Sequence, residues 1–242
     1  MLFNRSPLTA TISEIFREEI TARSGTVLDA LQHGSRLYAR SVLPGVRDVL
    51  PGDHLQGGVA LRATECEVWV HPYIFRQVCS NGAIMAQALY TRHLTELNLR
   101  DPDEAEVAIR EAVQACCEED AFATSFREFR SATEVLADLA ISLLPLLSRF
   151  RSAELFSRIV DQFFREPDRT RFSLTNAVTA VARGTRDPDT RWRLEELGGA
   201  IAAGKMPNPS PRNPGKAIRL AKHSHSLNDS PTAIPEPALA TR

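Results

Sequence analysis

The chain has no run of the roughly 20 apolar residues that a bilayer span requires. Its longest apolar stretch, Leu136–Leu147, is broken by Asp138, Ser142 and Pro145 and reads as a buried helix. Arg5 near the start is followed by Thr, Ser and Glu where a secretory signal would place an unbroken apolar core. A cytoplasmic protein with no membrane partner is therefore expected.

Cysteine is scarce and badly spaced for chemistry. Cys66, Cys79, Cys116 and Cys117 make no CxxC pair, and neighbours on a helix point about 100° apart, which does not suit one shared tetrahedral ion. Reduced, mostly buried thiols are expected. His71 and His93 have no second ligand at a useful interval, and His223 and His225 have no rigid third one, so no metal is expected. Gly57-Gly58 and Gly198-Gly199 lack the spacing and strand-to-helix setting of a phosphate loop, and no cofactor is expected.

A strong charge of one sign is also missing. The formal net charge is −1, with residues 1–204 carrying 23 basic against 28 acidic side chains and residues 205–242 six against two. The body as a whole does not attract phosphate, so nucleic-acid contact would depend on a local patch or on the basic tail. The 43% hydrophobic and 24% charged residues are those of an ordinary soluble globular chain.

Local patterns then define elements. The apolar spacing of Leu8, Ile12, Ile15, Phe16 and Ile20 predicts a first helix, with Thr11 and Glu14 as a capping box. Val27–Tyr38 reads as a second helix or equally as part of an irregular surface. From Gly57 to Phe75, alternation predicts two short strands and the start of a third. Cys79-Ser80-Asn81-Gly82 reads as a turn, because Asn and Gly tolerate positive φ, and residues 83–97 as a helix.

Further helices follow. Asp101-Pro102 starts one that runs toward Phe122, and Ser131 with Glu134 caps another that ends at Pro145. Ser152–Phe164 is amphipathic. Phe172–Arg183 is closed by Gly184, and Asp187-Pro188 opens a last helix to Ile201, weakened near Gly198-Gly199. Beyond Gly204 the Pro-, Ser- and Asn-rich composition predicts disorder. The expected architecture is α+β. One domain over residues 1–204 has a small antiparallel sheet around residues 57–76 under a mostly helical C-terminal half, and residues 205–242 form a disordered Pro-rich basic tail.

The stretch Pro72-Tyr73-Ile74-Phe75-Arg76-Gln77-Val78-Cys79-Ser80-Asn81-Gly82 concentrates the polar candidates. Arg76, Cys79, Asn81, Gly82, His93 and Asn176 either form a ligand site or brace a turn. Three readings stand beside one another. One is an enzyme with a Cys79 nucleophile, Asn81, and His93 or His71 as base. Another is DNA contact by the arginine-rich helix ends, Arg171, Arg183, Arg186 and Arg191, or by stacking on Trp69, Tyr73 and Phe75 with Arg62. The last is a structural or protein-interaction module.

This stretch resembles a motif of a phage- and plasmid-like family catalogued as domain of unknown function 932, in which an aromatic residue, Arg, Cys and Asn-Gly come in that order. His93 is similar to a histidine downstream in that family. Leu174–Thr179 and Arg193–Gly199 resemble its C-terminal signature, so the resemblance spans about Gly57 to Ile201. Family members carry a longer, more strand-rich N-terminal half, and on that comparison this chain is expected to be shortened there. The resemblance implies a protein of mobile-element origin, without an established reaction, that binds DNA or assists a DNA-processing protein.

Overall fold

The structure is a computed structural model that describes residues 7–145 and 152–205; all of the tail expected to be disordered except Lys205 lies outside the described residues. After α1 (Pro7–Ala22) come β1 (Thr26–His33), β2 (Arg36–Val42), β3 (Val46–Leu50), β4 (Asp53–Ala63), β5 (Glu67–Arg76), β6 (Asn81–Ile84) and β7 (Arg92–Thr95). The helices α2 (Pro102–Cys116), α3 (Glu119–Ala132), α4 (Leu139–Pro145), α5 (Ala153–Phe163), α6 (Arg171–Arg183) and α7 (Pro188–Ala202) complete the α+β fold.

All seven strands join one antiparallel sheet. β4 and β5 form its spine, paired from Leu55↔Arg76 to Ala63↔Val68. On the β4 side, β3 pairs the first half and β2 the second, with β1 outside β2. On the β5 side, β7 pairs residues 67–70 and β6 pairs residues 73–76. The two halves of β5 therefore face different neighbours.

This sheet is larger than residues 57–76 and corrects several expectations. Val27–Tyr38 is no helix but most of the β1–β2 hairpin, turned at Gly34 with φ +60°. Its Leu37 and Ala39 go to one face and Tyr38 and Arg40 to the other, a period of two that pairing with β4 enforces. The N-terminal half is thus rich in strands. Residues 83–97 are not a helix either, because β6 and β7 lie there; a lack of Gly and Pro permits a helix without requiring one.

The Asn-Gly pair is not the turn. The chain reverses over residues 77–80 with Ser80 at φ 50°, and Asn81 and Gly82 already pair with Arg76 and Phe75. Among the helix signals, Asp101 accepts from the backbone N–H groups of Asp103 and Glu104 as a cap, but α2 stops at Cys116 and α3 is separate. Ser131 lies inside α3, so its box with Glu134 never forms. Nor does Thr11 open α1, which begins at Pro7. Asp187 caps α7 with Pro188 in the first position, as its spacing predicts.

Each face of the sheet is covered. Leu37, Ala39, Val59, Leu61, Val68 and Val70 meet Ile12, Phe16 and Ile20 of α1 and Ile109 and Val113 of α2. Farther along the same face, Leu55 and Ile74 pack with Phe129 of α3 and Phe172 of α6. The opposite face sets Tyr38, Ala60 and Tyr73 against Trp192 of α7. Burial of each such Leu, Ile, Val or Phe side chain stabilises the fold by about 1.5–3 kcal/mol.

The glycine pair expected to weaken α7 has another duty. The helix continues to Ala202, and a Cβ on Gly199 would overlap the carbonyl oxygen of Ile84, so glycine lets α7 lie against the open edge of β6. Gly199→Ala should lower Tm by several degrees in a thermal melt, through about 1–3 kcal/mol of overpacking. Were Gly199 only a weak point of the helix, the better propensity of Ala would raise Tm.

Candidate functional site

The polar motif meets at the corner between β5, β6 and α6. Arg76, the last residue of β5, grips Asp53 at the start of β4, with Nε 2.7 and 2.9 Å from the two carboxylate oxygens and Nη2 2.6 Å from Oδ2. Its Nη1 donates to Cys79 Sγ at 3.2 Å, and its guanidinium lies 5.3 Å from the centre of the Phe172 ring. Burial works against this cation, but the Asp53 carboxylate more than offsets it and raises the Arg76 pKa. Such a forked pair leaves the guanidinium little freedom to receive a ligand.

Asn81, the cross-strand partner of Arg76, crosses to α6. Its Nδ2 donates to Thr179 Oγ1 at 2.8 Å and to the Asn176 carbonyl at 3.4 Å. Gly82 is required for a steric reason, since a Cβ there would overlap the hydroxyl of Tyr73. Arg183, at the end of α6, donates to the Cys79 carbonyl. Arg76, Asn81, Asn176, Ile74, Phe129 and Thr179 enclose a void of only about 10 Å³. Five of the six motif candidates, Arg76, Cys79, Asn81, Gly82 and Asn176, thus come together, with room for about one water molecule.

His93 is not among them. It lies on β7 opposite Trp69, seven residues up β5 from Arg76, or roughly 23 Å along the strand. There it stacks on Trp69 with ring centres 3.6 Å apart and its Nε2 3.3 Å from a Glu67 carboxylate oxygen. His71 is buried beside Trp69, and burial, aided by the charges of Arg62 and His93, pushes its pKa down to about 3. A Cys79–His93 pair is not assembled. Cys79 sits in a strand-to-strand turn and not at a helix start.

Other candidates separate in the same way. Trp69 and Tyr73 share a face, as their parity predicts, but Tyr73 is buried against α7 and Trp69 is covered by His93, so neither offers a free stacking surface. Arg191 is held between Asp29 and Glu195 at 3.1 and 3.0 Å. Arg171 is half-buried, with Nε enclosed and unpartnered. Arg183 and Arg186 are exposed at the end of α6.

Two further arginines join them at this α6–α7 corner: Arg193, one of the arginine-rich helix ends of the sequence reading, and Arg158, which that reading passed over. Arg158 of α5 comes within 3.4 Å of where a Cβ on Gly184 would stand, and Arg193 of α7 lies close enough to Asp187 for its charge to help lower that carboxyl's pKa, after the Thr190 hydrogen bonds. Both are exposed. Among the described residues none of Arg158, Arg183, Arg186 and Arg193 is in an ion pair, whereas Arg36, Arg40, Arg76, Arg110 and Arg191 all are. Spacing on single helices gives no hint of a cluster drawn from three elements.

The sequence also left unread a groove of about 450 Å³ between the β2–β3 corner and the α2–α3 junction, lined by Leu43, Val46, Arg47, Cys117, Glu119 and Phe122. Burial pushes the Cys117 thiol up to about 11, away from thiolate chemistry. Not all thiols are buried, since Cys66 is exposed and Cys79 half-buried. Among the described residues no three His, Cys, Asp or Glu side chains converge as a metal site, and no helix is long and apolar enough to cross a membrane. No protein-family model, curated protein or solved structure matches the chain.

Proposed function

We propose that this chain is a noncatalytic protein of mobile-element origin that contacts DNA through the exposed arginines at the α6–α7 corner that lie outside salt bridges. The observation that carries the reading is the gathering of Arg158, Arg183, Arg186 and Arg193 at one end of the α5–α6–α7 layer, none of them in a salt bridge among the described residues. An acidic body needs such a local patch to attract a phosphate backbone. The mobile-element origin rests on the resemblance of the Pro72–Gly82, Leu174–Thr179 and Arg193–Gly199 segments alone. The motif residues serve the corner, since Arg76 and Asn81 are committed to Asp53 and Thr179.

Fluorescence anisotropy with labelled single-stranded and duplex oligonucleotides over a salt series tests the proposal. Four phosphate contacts give a slope of log K against log salt of about −3.6 for duplex or −2.8 for single strands. Arg158→Ala with Arg186→Ala should flatten it by roughly half. Absence of binding at low salt, or a slope unchanged in the double variant, would sink the assignment. Binding that persists with the same slope would point instead to cations elsewhere on the chain.

A further inference from the structure

The groove of about 450 Å³ between the β2–β3 corner and the α2–α3 junction forms where the sheet changes neighbours. Along β4, β3 pairs residues 53–56 and β2 pairs residues 60–63, so residues 57–59 fall between the two ladders. There the chain passes from β2 to β3 through Pro44 and Gly45, the latter at φ +105°, a left-handed value that favours glycine. Gln56 Nε2 fixes the corner by donating to the Leu43 carbonyl at 2.7 Å. Opposite, Phe122 of α3 is seated on Gly57, since a Cβ there would come within 2.7 Å of the ring. Backbone and packing thus hold the walls apart, as in a preformed ligand pocket.

The charged side chains of the groove are sorted by depth. Arg23 and Arg47 are half-buried, whereas Glu118 and Glu119 are exposed. The Arg47 guanidinium lies 5.2 and 5.8 Å from the centres of the Phe122 and Phe126 rings, which seat it against the aromatic wall. Its one carboxylate partner among the described residues is Glu119, at 3.3 Å and 86% exposed. A pair so open to water contributes little and is easily exchanged. Arg23, just after α1, is oriented by Glu19, whose carboxylate and carbonyl oxygens lie 2.7 and 2.8 Å from Nη1; its Nε and Nη2 make no hydrogen bond among the described residues. It stands near enough to Cys117 for its charge to oppose the rise in that thiol's pKa, which burial causes.

We propose that this groove binds a small amphipathic organic anion, whose charged group pairs with Arg47 while its aromatic or branched body packs against Leu43, Val46 and Phe122. The volume falls in the range of small-molecule sites, and a mostly apolar wall with a few placed polar groups is their usual lining. The sign of the ligand follows from the depth of the charges, because the cations stand inside and the acids at the mouth. Arg23 adds a second positive charge on the α1 side. The ligand anion takes the place of the Glu119 carboxylate on Arg47, so Glu119 is an internal competitor. The groove shares no element with the arginine corner of α5, α6 and α7, and its occupant does not depend on DNA contact there.

Fluorescence titration of the full chain with anilinonaphthalene sulfonate, an aromatic organic anion, tests the proposal beside phenylnaphthylamine, the same rings without the sulfonate. The sulfonate should bind saturably at one site. Arg47→Gln should weaken it about tenfold, the loss expected for one charge-assisted hydrogen bond. Glu119→Gln should tighten it, because the competing carboxylate is gone. Affinity for the uncharged dye should stay within about twofold in both variants, since neither removes apolar wall. Both side chains are at the surface, so the variants should fold. In a methyl NMR spectrum of the wild type, the largest shifts on adding the sulfonate should fall on Leu43 and Val46. Absence of saturable binding, sulfonate affinity unchanged in either variant, equal changes for the two dyes, or largest shifts on methyls away from the groove would each overturn the proposal.

Discussion

Glu195→Ala is expected to lower the unfolding free energy by about 3–5 kcal/mol, because it strands a buried cation. Arg40 projects from β2 onto the face covered by α7, and its side chain and that of Glu195 are each 2% exposed. Arg40 Nε donates to Glu195 Oε2 at 2.7 Å and Nη1 to Asp29 at 3.1 Å. Arg191 closes the circuit by bonding Glu195 Oε1 and pairing with Asp29. Burial pushes the Glu195 carboxyl up while the two guanidinium groups pull it back down. Removing the carboxylate leaves Arg40 with only Asp29, and its Nη2 already has no partner.

Denaturant unfolding of a small variant set separates this mechanism from mere loss of packing. Arg191→Ala removes a partner that is 28% exposed, so water replaces much of the contact and the loss should be about 1 kcal/mol. The double variant Arg40→Met, Glu195→Leu should recover most of the stability lost in Glu195→Ala, since a buried pair exchanged for apolar groups of similar size is often neutral or better. If Glu195→Ala loses less than 1 kcal/mol, or the double variant is no more stable than the single one, the circuit does not hold β2 to α7 in the way described.

This circuit also marks where the sequence stops being readable. Arg191 and Glu195 are four apart on a helix, a spacing visible in one dimension, but nothing in β2 announces that Arg40 will be buried beneath them. The central strands and the caps at Asp101 and Asp187 were legible because their signals are local: alternation over Val68–Phe75 and a short side chain before Pro. The β1–β2 hairpin and β6–β7 were not. Short runs such as Val27–Tyr38 fit both a period of two and one of 3.6, and the choice is made by pairing with β4 or β5, tens of residues away. For the site, Arg76, Cys79, Asn81, Gly82 and Asn176 lie at one corner while His93 stands apart on β7. The motif missed Asp53, whose pairing with Arg76 turns a candidate ligand-binding cation into a brace.

Acid should destabilise the protein from about pH 6.5 downward, well before most carboxylates titrate, and His71 should be the cause. Its ring is enclosed by Trp69, stacked at 5.9 Å, and by the edge of Trp192 at 5.8 Å, with Nδ1 3.2 Å from Thr91 Oγ1. Burial, with smaller contributions from Arg62 and His93, holds its pKa near 3, whereas an unfolded histidine titrates at about 6.5. Between these values the unfolded chain binds one more proton than the folded one. The stability contributed by keeping His71 neutral is fully present above pH 6.5 and is lost as pH falls, at about 1.4 kcal/mol per unit, until the folded ring titrates near pH 3. At pH 5 the loss amounts to about 2 kcal/mol. Denaturant unfolding at pH 7, 6 and 5 should show this slope in the wild type and its removal in His71→Gln. Equal slopes in the two proteins would assign the acid sensitivity to other groups. Should the variant not fold, the His71 ring resonances of the wild type answer the same question, since they should stay unshifted between pH 7.5 and 5 while the protein remains native.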